Sequence, residues 1–338
     1  MNTTASSVRD AEAYALVCRE YGDPPDIMRQ ALRPPPSPGP DEVLIDVHCA
    51  AFNFTDHLLV QGRYQERPQT PFVPGLDAAG VVRSIGSNVS RFRPGDKVVS
   101  SGVVGAWSTR LAAPQHRLVP VPANVALADA VGSINSHLTA YHGLLDRARL
   151  QAGERVLVLG ANGAVGKACV QIARHAGAQV YTVVRGSGDT FLLAHEGGGQ
   201  SQSVPLGELK QGLRQLLGSR GADIVVDPIG DQFTEAAVRN LAWRGRLLVV
   251  GFAAGDIPHI PTNLLLLKGC GILGVYCGGL LLQETDAFTQ QLEAMLNLMG
   301  AGVLAPSPQE LVCANDFMQA WKLFSTAPRG TKIVLDFA

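Results

Sequence analysis

The chain has 338 residues, of which 46% are hydrophobic and 17% charged, and its formal net charge at pH 7 is −1. This length accommodates two domains, and the composition is that of an ordinary globular protein. The near-neutral charge provides no basic surface for nucleic acid, and no apolar run reaches the roughly 18 residues that span a bilayer. We therefore expect a cytoplasmic protein that binds neither nucleic acid nor membrane.

The opening residues are polar and lack an apolar core, so we expect no secretory signal and a frayed extension over residues 1–11. The six cysteines include no Cys-x-x-Cys pair. This predicts reduced thiols rather than disulfides or a structural zinc cluster.

Short strands separated by glycine and proline dominate the first third of the chain. Strands are predicted at 13–18, 42–50, 78–85, 97–100, 108–112 and 118–121. A proline-rich connection occupies 33–42, and a short helix or turn is expected at 54–61. The pattern predicts a small, barrel-like β domain.

From residue 128 onward, a helical pattern over 128–145 leads into alternating strands and helices. Strands are predicted at 155–159, 180–184, 201–204, 222–227, 246–251 and 272–276, with helices at 164–175, 209–217 and 233–241. This alternation predicts an α/β fold with a doubly wound parallel sheet and helices on both faces. Two further helices, 286–299 and 316–324, and a closing strand, 332–336, are expected to return to the first domain.

The glycine-rich turn after the strand 155–159 carries the strongest functional signal. Residues 161–166 read A-N-G-A-V-G, which is the dinucleotide-binding G-x-G-x-x-G pattern with alanine in its first position. Gly163 is predicted to let the backbone approach the phosphates, and Gly166 to let the helix lie close to the strand. The helix N-terminus adds N–H groups and a partial positive charge. We predict that Asn162, Gly163, Ala164, Val165 and Gly166 bind the pyrophosphate of a dinucleotide.

The end of the next strand bears on the choice between NADPH and NADH. An NAD site usually has an acidic residue about 20 positions beyond the glycine turn, whereas this strand ends in Arg185, Gly186 and Ser187. Arg185 and Ser187 suit the 2′-phosphate of NADPH. Asp189, an acidic residue near the same strand end, favours NADH instead. The alternative role for Arg185 is that of a solvated charge at the end of the strand.

Segments in order along the chain match one family. They are F-N-F-T-D at 52–56, G-R-Y at 62–64, V-P-G at 73–75, R-P-G-D at 93–96, L-T-A-Y at 138–141, D-P-I-G at 227–230 and N-L-L-L-L-K at 263–268. On these residues the chain resembles the zinc-free NADPH:quinone oxidoreductase group of the medium-chain dehydrogenase/reductase superfamily.

The resemblance implies a GroES-like, β-rich catalytic domain interrupted in sequence by a Rossmann domain, with the active site in the cleft between them. We assign residues 12–132 to the first part of the catalytic domain, 133–277 to the NADPH-binding Rossmann domain and 278–338 to the return. The resemblance also implies a homodimer formed through the last Rossmann strand, 272–276.

Zinc-dependent relatives hold a catalytic metal at positions that are Asn53, Leu76 and Asn135 here, so no metal is expected. His48 and His57 lie nearby, but two histidines without a third ligand are more often structural. Without a Lewis acid, the substrate itself must spread the developing negative charge. A quinone or an α,β-unsaturated carbonyl does so by conjugation.

The remaining cofactor residues are predicted from strand ends and from the resemblance. Gly230, Gly251 and Phe252 follow predicted strands at the carboxyl edge of the sheet, where ligands bind, although turns alone would explain the glycines. The resemblance places Thr139 beside the nicotinamide and the backbone of Tyr276 near its carboxamide.

On the substrate side, Asn53 and Tyr64 are the predicted catalytic residues. Tyr64 would donate a hydrogen bond to the substrate oxygen as negative charge develops, and its alternative role is that of a packed aromatic side chain. Asp56 would orient a backbone turn. The resemblance places Lys332 near the cofactor. The alternative is that Lys332 is a surface lysine.

The sequence thus predicts an NADPH-dependent reductase that transfers hydride to quinones or α,β-unsaturated carbonyls. One alternative is a non-catalytic NADPH-binding protein, since some relatives are lens crystallins or RNA binders. The other is a zinc alcohol dehydrogenase.

Overall fold

The structure is a computed structural model that describes residues 12–24, 26–198 and 201–338. The extension predicted over residues 1–11 lies outside the described residues. The strands, numbered in chain order, are β1 Ala13–Cys18, β2 Met28–Arg33, β3 Glu42–Phe52, β4 Asp77–Ile85, β5 Lys97–Ser101, β6 Arg110–Pro114, β7 Leu118–Pro120, β8 Arg155–Leu159, β9 Gln179–Arg185, β10 Thr190–His195, β11 Gln202–Pro205, β12 Ala222–Asp227, β13 Leu241–Val249, β14 Gly271–Gly274, β15 Gln309–Cys313 and β16 Lys332–Asp336.

The α-helices are α1 Phe54–Val60, α2 Leu127–Tyr141, α3 Ala164–His175, α4 Leu209–Leu217, α5 Asp231–Arg239, α6 Asn263–Lys268, α7 Cys277–Gln283, α8 Thr285–Gly300 and α9 Phe317–Thr326. After α2 the chain continues as a π-helix over His142–Arg147. Within the described part of the chain, every helix is too short or too polar to cross a membrane.

The chain forms two compact units. Of the described residues, the first unit contains those up to 135 together with 278–302 and 306–338, and the second contains those within 136–277 and 303–305. The last two helices and the closing strand therefore belong to the first unit, as the sequence predicts.

The first unit is built around a seven-stranded sheet in the order β15-β16-β3-β4-β5-β7, in which β6 also pairs with β3. Its core includes Trp107, which is fully buried, stacks on Phe52 at 5.1 Å between ring centroids and donates its indole N–H to Ala51 O at 3.0 Å. This packing fixes the end of β3. The same tryptophan explains Gly75, because a β-carbon there would lie 2.2 Å from the indole Cδ1.

The second unit is an α/β layer whose sheet has the order β11-β10-β9-β8-β12-β13-β14. The five strands β9, β8, β12, β13 and β14 are parallel, so their carboxyl ends share one edge. The sequence does not predict β10, which lies between β9 and β11 and runs antiparallel to both. Phe191 and Leu193 are buried while Leu192 between them is exposed, and this period of two residues favours a strand.

Candidate functional site

The glycine turn of the second unit joins β8 to α3. Gly160 has φ +64°, and the N–H of Gly163 donates to Gly160 O at 2.9 Å. Gly163 is the N-cap residue of α3. The turn therefore ends where the first N–H groups of a 12-residue helix lie without partners inside the helix.

Gly166 has no room for a side chain. A β-carbon at this position would lie 2.3 Å from Gly160 O and 2.7 Å from the Cα of Ala161. The predicted packing role of Gly166 is therefore observed, because its absent side chain lets α3 lie directly on the turn. A β-carbon on Gly163 would lie 3.3 Å from Gly160 O. The turn and the helix N-terminus fit the pyrophosphate of a dinucleotide, which would be held there by backbone N–H groups and the helix dipole.

The loops that follow β12 and β13 meet beside this turn. A β-carbon on Gly160 would lie 2.7 Å from Cδ1 of Ile229, and one on Gly230 would lie 2.9 Å from the ring of Phe252. The N–H of Ala254 donates to Ile229 O at 2.9 Å. The structure thus brings the predicted residues Gly230 and Phe252 together at the carboxyl edge of the sheet, with Gly251 between β13 and Phe252.

Asp227 shapes the turn that contains Gly230. One oxygen of its buried carboxylate accepts the N–H groups of Ile229 and Gly230, each at 2.9 Å. The other oxygen accepts the hydroxyl hydrogen of Thr234. Asp227 therefore holds the loop, and the backbone of that loop faces the edge where a ligand would lie.

Arg185 and Ser187 lie at the tight turn between β9 and β10. The N–H of Gly186 donates to Thr190 O at 2.9 Å, and the hydroxyl of Thr190 donates to Ser187 O at 2.7 Å. Arg185, Ser187 and Asp189 are all exposed. Since β9 neighbours β8 in the sheet, both predicted 2′-phosphate residues lie one strand away from the glycine turn.

Thr139 and the segment around Tyr276 also come together in the second unit. The Oγ1 of Thr139 lies 3.6 Å from the Sγ of Cys277. The N–H of Val275 donates to Val249 O at 2.9 Å, which fixes the chain just before Tyr276. Burial raises the pKa of the Cys277 thiol to about 11, so this group stays a neutral thiol.

In the first unit, a row of four polar side chains runs across neighbouring strands. We call it the polar ladder, and it consists of Lys332, Asn53, Asp77 and Ser101. Lys332 Nζ donates to Asn53 Oδ1 at 2.7 Å, and Asn53 Nδ2 donates to Asp77 Oδ2 at 2.9 Å. The hydroxyl of Ser101 donates to Asp77 Oδ1 at 2.7 Å. Asn53, Asp77 and Ser101 are buried, while Lys332 is partly exposed.

The strand register explains why these four residues meet. Lys332 begins β16, Asp77 begins β4 and Ser101 ends β5, while Asn53 directly follows β3. Ile333 pairs with Phe52, so Lys332 and Asn53 occupy the next cross-strand position, and Asp77 pairs directly with Ser101. Side chains opposite each other on neighbouring strands lie close enough to bond.

Asp56 fixes the backbone on which Asn53 stands. Its two carboxylate oxygens accept the N–H of Asn53 at 2.7 Å and the N–H of Leu76 at 3.0 Å. Asn53 is the N-cap residue of α1, so this is the acidic half of a capping box. The predicted turn-orienting role of Asp56 is observed, and Asp56 also ties α1 to the residue before Asp77.

Burial and mutual repulsion control the charges around the ladder. The pKa of Asp56 is raised to about 8, first by burial and then by the neighbouring Asp77. Burial also raises the pKa of Asp77, against the hydrogen bond from Ser101 and the charge of Lys332. The pKa of Lys332 is lowered by burial, and both carboxylates oppose that shift. Removing the charge of Lys332 would therefore leave the buried carboxyl of Asp77 without its cationic partner.

Tyr64 lies on the loop beyond α1 and is partly buried. Its backbone N–H donates to Leu58 O at 3.2 Å, and its ring packs against the core of the first unit. The predicted catalytic role of Tyr64 and the cofactor role of Lys332 both stay predictions. What the structure adds for Lys332 is a direct bond to Asn53.

The three side chains at the zinc positions do not fit a zinc ion. The amide of Asn53 is bonded to Lys332 and Asp77, Leu76 offers no donor atom, and Asn135 offers only an amide. Protein zinc ligands are thiolates, imidazoles and carboxylates. Among the residues that the structure describes, no group of three or more such side chains is placed to hold a metal.

Asp77 and Ser101 were missed by the sequence analysis. An acidic residue at the head of the apolar strand β4, D-A-A-G-V-V, was the available signal for Asp77, because a charge in such a strand needs a partner. Ser101 carried no signal of its own, since its role follows only from the pairing of β5 with β4.

Comparisons with known proteins agree with this geometry. The family model described as alcohol dehydrogenase GroES-like domain matches residues 39–123, and the one described as zinc-binding dehydrogenase matches residues 164–299. The chain is 36% identical to quinone oxidoreductase-like protein 2 of Rattus norvegicus over 86% of this chain and 83% of that protein. It is 29% identical to the quinone oxidoreductase of Homo sapiens over 82% of this chain and 84% of that protein.

Among solved structures, a probable oxidoreductase from Mycobacterium abscessus is similar along nearly the whole chain. It is 32% identical, with a TM-score of 0.79, over 97% of this chain and 99% of that one. Together with the fold and the glycine turn, these similarities establish an oxidoreductase whose family implies a nicotinamide cofactor. The chain belongs to the quinone oxidoreductase group of the medium-chain dehydrogenase/reductase superfamily.

Proposed function

We propose that the protein is an NADPH-dependent reductase that transfers hydride to quinones or α,β-unsaturated carbonyls without a metal. The observation that supports this most directly is the donor set at Asn53, Leu76 and Asn135, which does not suit zinc. A simple aldehyde or ketone needs a Lewis acid to carry its developing oxyanion, whereas a conjugated acceptor spreads that charge itself. The names of the two quinone oxidoreductase relatives support the same substrate class.

The preference for NADPH is supported by Arg185 and Ser187. Both are exposed at the turn after β9, beside the strand that leads to the glycine turn. A guanidinium and a hydroxyl there suit a phosphate group, because a charge-assisted hydrogen bond is stronger than a neutral one.

Each group of residues has its own task in this proposal. Bound NADPH supplies the hydride. The glycine turn and the N-terminus of α3 would hold its pyrophosphate, and Thr139 and the backbone at Tyr276 would orient its nicotinamide end. Asn53 would donate an N–H to the substrate oxygen, and water or the hydroxyl of Tyr64 would deliver the proton.

We also propose that two copies of the chain associate through β14. This strand is at the edge of its sheet, and exposed apolar side chains lie on the neighbouring elements: Trp243 (71% exposed), Leu266 (80%) and Leu267 (71%). An open strand edge flanked by apolar surface is a pairing site.

Light scattering should give twice the chain mass of 35.7 kDa for the wild type and the mass of a single chain for L266E/L267E. A wild-type protein that remains a monomer at micromolar concentration would refute this.

The enzyme assay follows the oxidation of NADPH with a panel of quinones and α,β-unsaturated ketones, and with simple aldehydes and ketones as controls. We expect turnover with the conjugated acceptors only, undiminished by a chelator, and metal analysis of the purified protein without stoichiometric zinc. Reduction of simple aldehydes with one bound zinc would instead support an alcohol dehydrogenase.

A further inference from the structure

The hydrogen bonds of the polar ladder leave the Asn53 amide with a single possible orientation. An ammonium group is only a donor, so the atom that faces Lys332 at 2.7 Å must be the amide oxygen. A carboxylate is only an acceptor, so the atom that faces Asp77 at 2.9 Å must be the amide nitrogen. An isolated asparagine could rotate by 180° about its last side-chain bond, but here both bonds would then be lost.

These bonds use the amide oxygen and one of the two amide N–H groups. Neither bond uses the second N–H of the amide. The positive charge on Lys332 draws electron density toward Oδ1, which makes the remaining N–H a stronger donor through the polarised amide. Asp77 keeps the amide in place and is itself held by Ser101 at 2.7 Å.

We propose that Lys332 and Asp77 are positioning residues that fix and polarise the Asn53 amide, so that its second N–H donates to the substrate oxygen on which negative charge develops. This inference rests on the proposed function, in which Asn53 contacts the substrate. It assigns Lys332 an effect on catalysis that is transmitted through Asn53. The contribution of a preorganised donor of this kind lies in the transition state, so kcat should respond more than KM.

A purely structural ladder would behave differently. Loss of Lys332 would then lower stability, and any loss of activity would be independent of the side chain at position 53. A double-mutant cycle separates these possibilities, because residues that act through each other are not additive. The variants are N53A, K332M and N53A/K332M, with K322M as the matched control on the exposed face of α9.

We expect N53A to lower kcat by about 100-fold, the usual effect of losing one oxyanion donor. K332M keeps the approximate length of the side chain but removes its charge and its N–H donors. We expect it to lower kcat by about 10-fold or more and to leave the Kd for NADPH within about 2-fold of the wild-type value. In the N53A background, K332M should cost almost nothing further. K322M should match the wild type. Additive losses in the double variant would overturn the inference, as would an unchanged kcat in K332M.

A spectroscopic measurement tests the same point without turnover. In protein labelled with 15N-asparagine, the side-chain amide of Asn53 is identified by its absence in N53A. We expect its two N–H resonances to be widely separated in the wild type and to shift and approach each other in both K332M and D77N. Unchanged resonances in both variants would show that neither residue holds the amide.

The outcomes also separate the two proposals. A wild-type protein that binds NADPH but reduces no acceptor would refute the proposed function, while the resonances of Asn53 would still decide whether the ladder orients its amide. Should K332M fail to fold, K332R and D77N replace it in the cycle. K332R keeps a cationic donor, so with Asn53 present we expect it to retain more activity than D77N. When each is combined with N53A, the two variants should have the same activity.

Discussion

Lys332 and Asn53 are 279 positions apart in the chain, yet their side chains are joined by a 2.7 Å hydrogen bond. The bond forms because β16, the closing strand, pairs with β3 in the register that sets Ile333 against Phe52. The last strand therefore completes a site that begins near residue 53. The return of the chain to its first unit after the second unit thus brings Lys332 to Asn53.

Replacing Tyr64 tests whether its hydroxyl delivers the proton to the substrate. Y64F keeps the ring that packs against the core and removes only the hydroxyl. We expect kcat to fall by about 3- to 10-fold, with cofactor affinity unchanged. Water can supply the proton in place of the hydroxyl, but the protein does not hold that water in position. Steady-state kinetics and thermal unfolding check this. The control is Y21F, because the hydroxyl of Tyr21 donates only to Pro68 O at the surface among the bonds described. A Y64F enzyme as active as Y21F would exclude a role for the hydroxyl.

Replacing Gly166 tests whether the glycine turn binds the cofactor. A β-carbon there would lie 2.3 Å from Gly160 O, and this contact is with backbone, which cannot move aside. We expect G166A to displace α3 from the turn, to weaken NADPH binding by at least about 10-fold and to lower stability by a few kcal/mol. Fluorescence titration and urea unfolding measure both effects.

The matched control for this variant is G207A, since a β-carbon at Gly207 would meet no atom within 4 Å. G207A should bind NADPH as tightly as the wild type. Equal affinity in G166A and G207A would show that the turn after β8 does not hold the cofactor.

Arg185 tests the choice of cofactor. We expect R185A to weaken NADPH binding by about 10- to 100-fold, which corresponds to one lost hydrogen bond to a charged group, and to leave NADH binding unchanged. The control is R214A, which removes an exposed arginine from the last turn of α4. A parallel loss of both cofactors, or none, would argue against recognition of the 2′-phosphate by Arg185.

The buried carboxyl of Asp56 predicts how stability depends on pH. Its pKa is raised to about 8 in the folded protein, chiefly by burial, so the folded state binds this proton more tightly than the unfolded chain does. Its contribution to the free energy of unfolding is therefore complete below about pH 4, the range of an unfolded aspartate, and is lost as the pH rises through about 8.

We expect the free energy of unfolding of the wild type, relative to that of D56N, to decrease as the pH is raised from 5 to 8.5. Urea unfolding at several pH values measures this difference. D41N, at an exposed position, should show no such trend. A difference that stays constant or grows with pH would contradict the raised pKa of Asp56.

The elements that the sequence predicts best are those in which one pattern dominates. The strand over 155–159 and the helix over 164–175 are found at the predicted residues, because an apolar run, a glycine turn and a helical period succeed one another there. The strand over 108–112 lies instead at Arg110–Pro114, since its ends depend on pairing with β3. The predicted helix over 128–145 changes to a π-helix at His142, where Ala148 bonds back to Gly143.

The strands β2, β10 and β15 were not predicted from the sequence. Only one of the six residues of β2 is buried, so β2 owes its conformation to pairing with β1 rather than to its own pattern. The site shows the same limit. Gly166 is predictable from the local glycine pattern and Asn53 from the family resemblance. The bonds that Asn53 makes to Lys332 and Asp77 depend instead on the register of three separate strands.

We propose that this chain uses a nicotinamide cofactor to reduce an acceptor activated by its own conjugation. The most direct test mixes the purified protein, dialysed against a chelator, with NADPH and either a quinone or a simple aldehyde, and follows absorbance at the wavelength of the reduced nicotinamide. We expect steady oxidation with the quinone, none with the aldehyde and, at low NADPH concentration, a much slower reaction in G166A. Oxidation of NADPH by the aldehyde only after zinc is restored would contradict it.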